Sequence, residues 1–328
     1  MSHIKRFVAA GLTLAAVASL LPMTSLAANY GWVEKDGKWY YYDSDGKKVK
    51  YDSRSRWVDG EGYKYFVLNS KGAQVTKKGW CTTNYFYTYY YNKIKIQNKY
   101  YLKSDGSVTT GWKKISKKWY YFEEDGKMAK GVVRKTVDSS TGKEKYYILG
   151  NDGARITKKG WHQVTYVDFS ESTGYKTSYK IWYYVKSDGT IYRNCIKKIK
   201  GKKYLFDEEG RLVCNSIDGV RDSSGNIKTY YSTDKNGVIY TKKGWRSIKF
   251  TYSYKSSTYT YKDTATYKVY VKKGGKLHMG LKTIKGKTYY FDPTMEVCSH
   301  ITVDNVMYIF GRTGACTKTV KYDNNGAI

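Results

Sequence analysis

The string Thr76-Lys77-Lys78-Gly79-Trp80 returns intact at residues 157–161 and 241–245, which places Trp80, Trp161 and Trp245 81 and 84 residues apart. Self-similarity at such a period constrains the fold more than any single motif, because like units can only bury their faces against one another. Each copy follows a glycine turn and a short polar–apolar stretch: Lys71-Gly72-Ala73, Asp152-Gly153-Ala154 and Asn236-Gly237-Val238. Residues 311–319 occupy the same place in a fourth copy. The chain therefore reads as one array, with super-repeats at approximately 31–78, 79–159, 160–243 and 244–328, and not as two unlike domains.

Shorter units lie inside each copy. Trp119-Tyr120-Tyr121-Phe122 precedes Asp125-Gly126, Trp39-Tyr40-Tyr41-Tyr42 precedes Asp45-Gly46, and Trp182-Tyr183-Tyr184 precedes Asp188-Gly189. Tyr204-Leu205-Phe206 precedes Glu209-Gly210, and Tyr289-Tyr290-Phe291 runs into Pro293. Asp-Gly supplies the positive φ of tight hairpin turns. A strand such as Trp119-Tyr120-Tyr121-Phe122 carries rings on both faces, so neither face can stay in water. One hairpin cannot cover both, whereas a stack of hairpins can. Helical spacing is absent from the repeats. The predicted class is all-β: a β-hairpin solenoid of stacked short repeats with periodic longer hairpins. The longer ones fall at 81–101, 162–184 and 246–270, rich in Tyr, Thr and Ser; they read as projecting hairpins or as longer strands covering an edge.

Composition agrees with a folded, ring-rich chain. Tyr 38 and Trp 9 accompany a formal net charge of +31. A low aliphatic content with this charge would place a chain among the disordered ones, but those are poor in aromatics. The expected core is therefore built of rings more than of aliphatics. The first residues stand apart: Lys5 and Arg6, an apolar run over 7–21, Pro22, then Ser25-Leu26-Ala27. That is the pattern of a secretory signal peptide over residues 1–27, with an uncleaved anchor as the other reading. Residues 28–328 are then an exported array without a second apolar run of spanning length. The five cysteines, Cys81, Cys195, Cys214, Cys298 and Cys316, suit either repeat-related pairs or small buried thiols.

At Gly31-Trp32 through Val49, and at Gly111-Trp112 through Lys130, the chain resembles the cell-wall-binding (choline- and glucan-binding) repeat family, whose pattern is Gly-Trp, a gap, Gly-Lys-Trp-Tyr-Tyr-Phe and an Asp-Gly turn. The alternation of short units with a long one is also similar to the repetitive glycan-binding tail of large glucosylating toxins. The resemblance spans about residues 30–320. It implies a solenoid that binds choline-bearing teichoic acid, glucans or host glycans. Under it the candidate ligand contacts are Trp32, Trp39, Tyr40, Trp80, Trp112, Trp119, Tyr120, Met128, Trp161, Trp182, Tyr183, Trp245, Tyr289 and Tyr290.

A choline cage needs three rings, because a quaternary ammonium gains attraction from ring faces alone. Trp112, Trp119, Tyr120 and Met128 furnish most of one, but the next unit opens with Gly131-Val132 and lacks the Gly-Trp of a neighbour. The unit after Trp32 and Trp39 lacks it too. A sugar asks for exposed rings and a few hydroxyl partners, which the long hairpins supply. The distributed lysines suit a polyanion held by salt-sensitive attraction. The expected partner is a cell-wall polymer or glycan (teichoic acid, glucan or host glycan), with no nucleic acid and no membrane span. A structural or adhesive surface protein, touching polyanions without defined sugar pockets, is the alternative. The sequence contains no HExxH, no GxSxG and no phosphate loop. Adjacent Glu123-Glu124 and Glu208-Glu209 point to opposite strand faces. No catalytic residue, metal or cofactor is expected.

Overall fold

Two-residue turns with left-handed backbone at both positions join the short strands. Asp36-Gly37 (φ 53° and 68°), Lys200-Gly201 (45° and 82°) and Lys285-Gly286 (49° and 72°) have this form. It matches the right-handed twist of a strand pair. Ser116-Lys117 adopts it as well (45° and 68°) without a glycine.

The computed structural model describes residues 30–89, 92–170, 175–255 and 260–322, and every regular element within them is a strand. The chain divides into two units, at 75/76. In the first, β1 (Gly31–Lys35) pairs with β2 (Lys38–Tyr42), and β3 (Ser53–Val58) with β4 (Gly62–Val67), all antiparallel.

The second unit repeats a long hairpin followed by two short ones. β5 (Gly79–Tyr89) and β6 (Asn92–Leu102) form the first long pair, followed by β7 (Gly111–Ile115) with β8 (Lys118–Phe122) and β9 (Val133–Val137) with β10 (Glu144–Ile148). β11 (Gly160–Ser170) and β12 (Tyr175–Val185) form the next, followed by β13 (Cys195–Ile199) with β14 (Lys202–Phe206) and β15 (Ile217–Arg221) with β16 (Ile227–Ser232). The third round is β17 (Gly244–Lys255) with β18 (Thr260–Val271), then β19 (Gly280–Ile284), β20 (Lys287–Asp292) and β21 (Thr294–Met295). It closes with β22 (His300–Val303), β23 (Val306–Phe310) and β24 (Cys316–Lys321). The tips of the long hairpins, residues 90–91, 171–174 and 256–259, lie outside the described residues, as does the leader sequence.

Stacking is done by the short tail after each second strand. In the second unit the N–H of Met128 donates to the Lys99 carbonyl (2.7 Å), Arg155 to Trp119 (2.8 Å), Leu212 to Trp182 (2.8 Å) and Leu277 to Tyr230 (2.8 Å). Gln74 donates to the Trp39 carbonyl (2.8 Å) in the first unit. Each tail also bridges its own strand, as Phe122 does to Met128 and Phe206 to Leu212. Each unit is the all-β stack of hairpins that the repeats predict.

The core departs from the ring-built one expected. Its fully buried column takes the last residue of second strands at Leu102, Phe122, Ile148, Val185, Phe206 and Val271 and the penultimate one at Phe291, each 0% exposed, with Ser232, also 0%, ending β16. Beside them lie tail residues such as Val108, Ile191, Ile239 and Leu277. The tryptophans stay at the rim. An indole is too wide for a one-residue-deep core and its N–H needs an acceptor; Trp32 and Trp112 donate theirs to the Ser55 and Lys135 carbonyls.

Candidate functional site

Strand alternation sorts the candidate rings before any neighbour is considered. Trp161 pairs with Tyr184, and Gln163 with Trp182, so Trp161, Trp182 and Tyr184 share one face of the β11–β12 hairpin. Tyr183, between them in sequence, pairs with His162 on the other face and is 3% exposed. Burial pushes its phenol up to about 12. Trp182 is 40% exposed.

The next hairpin closes the groove through its second strand. Tyr204 of β14 stands 4.9 Å from Trp161, centroid to centroid, at 64°, and Phe206 lies stacked beneath at 5.8 Å and 25°. Trp161, Trp182, Tyr204 and Leu212 then line a cavity of about 340 Å³, with Cys214, Lys235 and Asn236 at its edge. Leu212 is seated there by its own N–H bond to the Trp182 carbonyl. Three rings and one aliphatic side chain thus converge on a space the size of a sugar ring or a small organic cation.

The Trp–Tyr–Phe contact occurs twice more in the second unit. Trp245 meets Tyr289 at 5.0 Å and Phe291 at 5.4 Å, and lines a cavity of about 280 Å³ with Met295 and Lys268. Trp80, 46% exposed, meets Tyr120 at 5.1 Å and Phe122 at 6.0 Å. Register places Lys99 and Lys268 where Trp182 stands in the central groove. Only the central groove has the second indole.

Not every candidate joins a groove. The expected set Trp112, Trp119, Tyr120 and Met128 is split between faces: Trp112 packs on Tyr121 (5.4 Å) and Tyr147 (5.7 Å), Tyr120 turns to Trp80, and Met128 is buried against Phe122. Trp119 is exposed at 39%. Tyr290 faces Phe310 at 6.5 Å, away from its neighbour Tyr289. Tyr40 lies under the Lys48 ammonium at 4.2 Å. Trp32 and Trp39 are brought together, but around Arg56, whose guanidinium carbon is 5.3 Å from Trp32, 4.3 Å from Trp39 and 4.4 Å from Phe66. Sequence reasoning passed over Tyr204, Leu212, Met295, Phe66 and Arg56. It sought the neighbour's contribution in an opening Gly-Trp, whereas the structure takes it from the neighbour's second strand. Alignment of Tyr204-Leu205-Phe206 with Tyr120-Tyr121-Phe122 carried that signal.

All five thiols are free, with Cys195 and Cys214 lining different cavities. Burial raises the pKa of Cys81, Cys195 and Cys214, so none of these three is poised as a thiolate. Among the described residues no cluster of His, Cys, Asp or Glu is arranged to hold a metal, and no helix is long and apolar enough to cross a membrane.

Family models recognise these hairpins. The choline-binding repeat matches residues 109–159, and the cell wall binding repeat matches 31–48, 173–191 and 279–294. The matched segments are similar to those repeats. The repeats are similar to segments of two streptococcal proteins: glucosyltransferase-S of Streptococcus mutans (29% identity over 226 residues, 63% of this chain) and glucosyltransferase-I of Streptococcus downei (27% over 330 residues, 79% of this chain). The chain spans only 14% and 20% of those two relatives. Among solved structures, choline-binding protein F of Streptococcus pneumoniae aligns at 20% identity, covering 88% of this chain and 92% of that one, with a TM-score of 0.32. CbpJ of the same species aligns at 19%, covering 88% and 93%, with a TM-score of 0.31. The chain is an all-β repeat protein, parts of which match choline-binding and cell wall binding repeats.

Proposed function

We propose that this chain is an exported, non-catalytic array that holds a cell-wall polymer or surface glycan in the ring grooves between successive hairpins. The observation that carries the reading is the Trp161–Trp182–Tyr204 groove, where three ring faces and Leu212 surround an open cavity at a register repeated by Trp80 and Trp245. Ring faces stack on the C–H face of a sugar, while Lys235 and Asn236 at the edge offer hydrogen bonds to its hydroxyls. The signal-peptide pattern of residues 1–27 supports export, and the family match supports a wall or glucan-like target.

A second occupant of the same groove is favoured by its three rings, namely the quaternary ammonium of a choline-bearing teichoic acid. Retention on dextran and on choline-substituted resin, each with soluble competitor, separates the two. Trp161→Ala and Tyr204→Ala, each confirmed folded by circular dichroism, should weaken retention about tenfold, since a ring contact of this kind contributes about 1–2 kcal/mol. Tyr290→Ala, outside the groove, should leave retention within about twofold of wild type. Equal retention by Trp161→Ala and wild type on both supports would overturn the reading.

A further inference from the structure

Arg56 occupies in the first unit the kind of space that is open in the central groove. It projects from β3 between Trp32 of β1, Trp39 of β2 and Phe66 of β4, with its guanidinium carbon within 5.3 Å of all three ring centroids. Trp32 and Phe66 are themselves 6.1 Å apart at 82°, and the Trp32 indole is fixed by its bond to the Ser55 carbonyl (2.6 Å). The Arg56 Nη1 is buried with no hydrogen-bond partner. A buried guanidinium N–H without an acceptor is costly unless ring faces take the place of one. By contrast, among the described residues no ammonium or guanidinium of the chain stands over Trp161, Trp182 or Tyr204.

We propose that the Trp32–Trp39–Phe66 cage is a binding site for a small organic cation that is held shut by the chain's own Arg56, so that Arg56 decides which ring cages accept an outside ligand. The cage selects a flat or quaternary cation because it presents ring faces, and the carboxylate whose field reaches Arg56 is that of Glu34. The tethered guanidinium has no translational freedom to lose on entering the cage, so a free cation at millimolar concentration cannot displace it. The equivalent position on β9, one residue beyond the carbonyl that accepts the Trp112 indole N–H, is Thr136. There, among the described residues, Arg155 stands over Tyr147 at 3.8 Å and Arg134 over Tyr121 at 5.6 Å, each reaching one ring and neither lying among three.

The test is a titration of the full chain and its Arg56→Ala variant with methylguanidinium and, separately, tetramethylammonium, following the indole N–H resonances of Trp32 and Trp39, assigned by Trp32→Phe and Trp39→Phe. Wild type should show no saturable shift of these two resonances. Arg56→Ala should bind at least tenfold more tightly at this site, and methylguanidinium should raise its midpoint of thermal unfolding while leaving that of wild type unchanged. Arg56→Lys, which keeps a tethered cation, should stay closed. If Arg56→Ala does not fold, Arg56→Gln removes the charge while retaining much of the stem and should show the same saturable shift. Unmoved resonances in the folded neutral variant, or the same response in wild type, would overturn the proposal. Because the readout is at Trp32 and Trp39, it should persist in a Trp161→Ala background, whatever the central groove binds.

Discussion

Trp182 and Tyr183 are consecutive aromatics with opposite fates. The first leans into solvent beside Trp161, and the second is sealed on the other face of the same strand. Alternation explains the split, but which face is buried follows from where the neighbouring hairpins lie. The sealed phenol has a measurable consequence. Its pKa is raised from the ordinary 10 to about 12 by burial, so the folded state binds this proton more tightly than the unfolded state. The associated stability is complete below about pH 10 and is lost as pH rises towards 12. Tyr183→Phe removes the titration. Urea unfolding between pH 9 and pH 12 should show wild type losing about 2 kcal/mol more than Tyr183→Phe over that interval, and parallel losses would refute the assignment.

Between elements, the contact that repeats is tail on tail. Gly153 has φ +83°, and a β-carbon built on it would sit 2.4 Å from the Met128 methyl of the preceding tail. Gly126 stands in the same relation to Val108, and Gly237 to Leu212. The glycine of these three turns is therefore needed twice, for its left-handed backbone and for the close approach of the neighbouring tail. Gly153→Ala should cost about 2 kcal/mol, part backbone strain and part displacement of Met128, read as a lower urea midpoint at unchanged slope. Shortening the neighbour, as in Met128→Ala with Gly153→Ala, should recover only the steric part. The turn chemistry was legible from Asp-Gly spacing. The second use of the glycine was not, because it depends on a tail some 25 residues earlier.

Across the whole chain, 59 Lys and Arg against 28 Asp and Glu form a positive field that is independent of the ring grooves. Many of the ion pairs are at the surface, such as Lys118 with Asp152 at 3.7 Å and Lys47 with Asp45 at 3.8 Å, and such pairs contribute little. Binding to an anionic wall polymer should thus have two parts. Raising NaCl from 0.1 to 1 M should reduce retention on teichoic-acid-bearing walls several-fold, while retention on neutral glucan changes less than twofold. Loss of both in parallel would favour the polyanion-adhesive alternative over ring grooves.

Period, element type and turn chemistry were set by local rules: Gly-Trp openers, ring-bearing strands and Asp-Gly turns dictate hairpins wherever they occur, and their recurrence dictates stacking. Which rings meet was decided by tertiary structure alone. Trp161 finds Tyr204 and Trp32 finds Arg56 because a strand fixes only which face a side chain takes, whereas its partner is whatever the next hairpin's register places opposite. Hence Trp112 and Tyr120, close in sequence, serve different neighbours, and two cages of similar composition end as one open groove and one filled by an arginine.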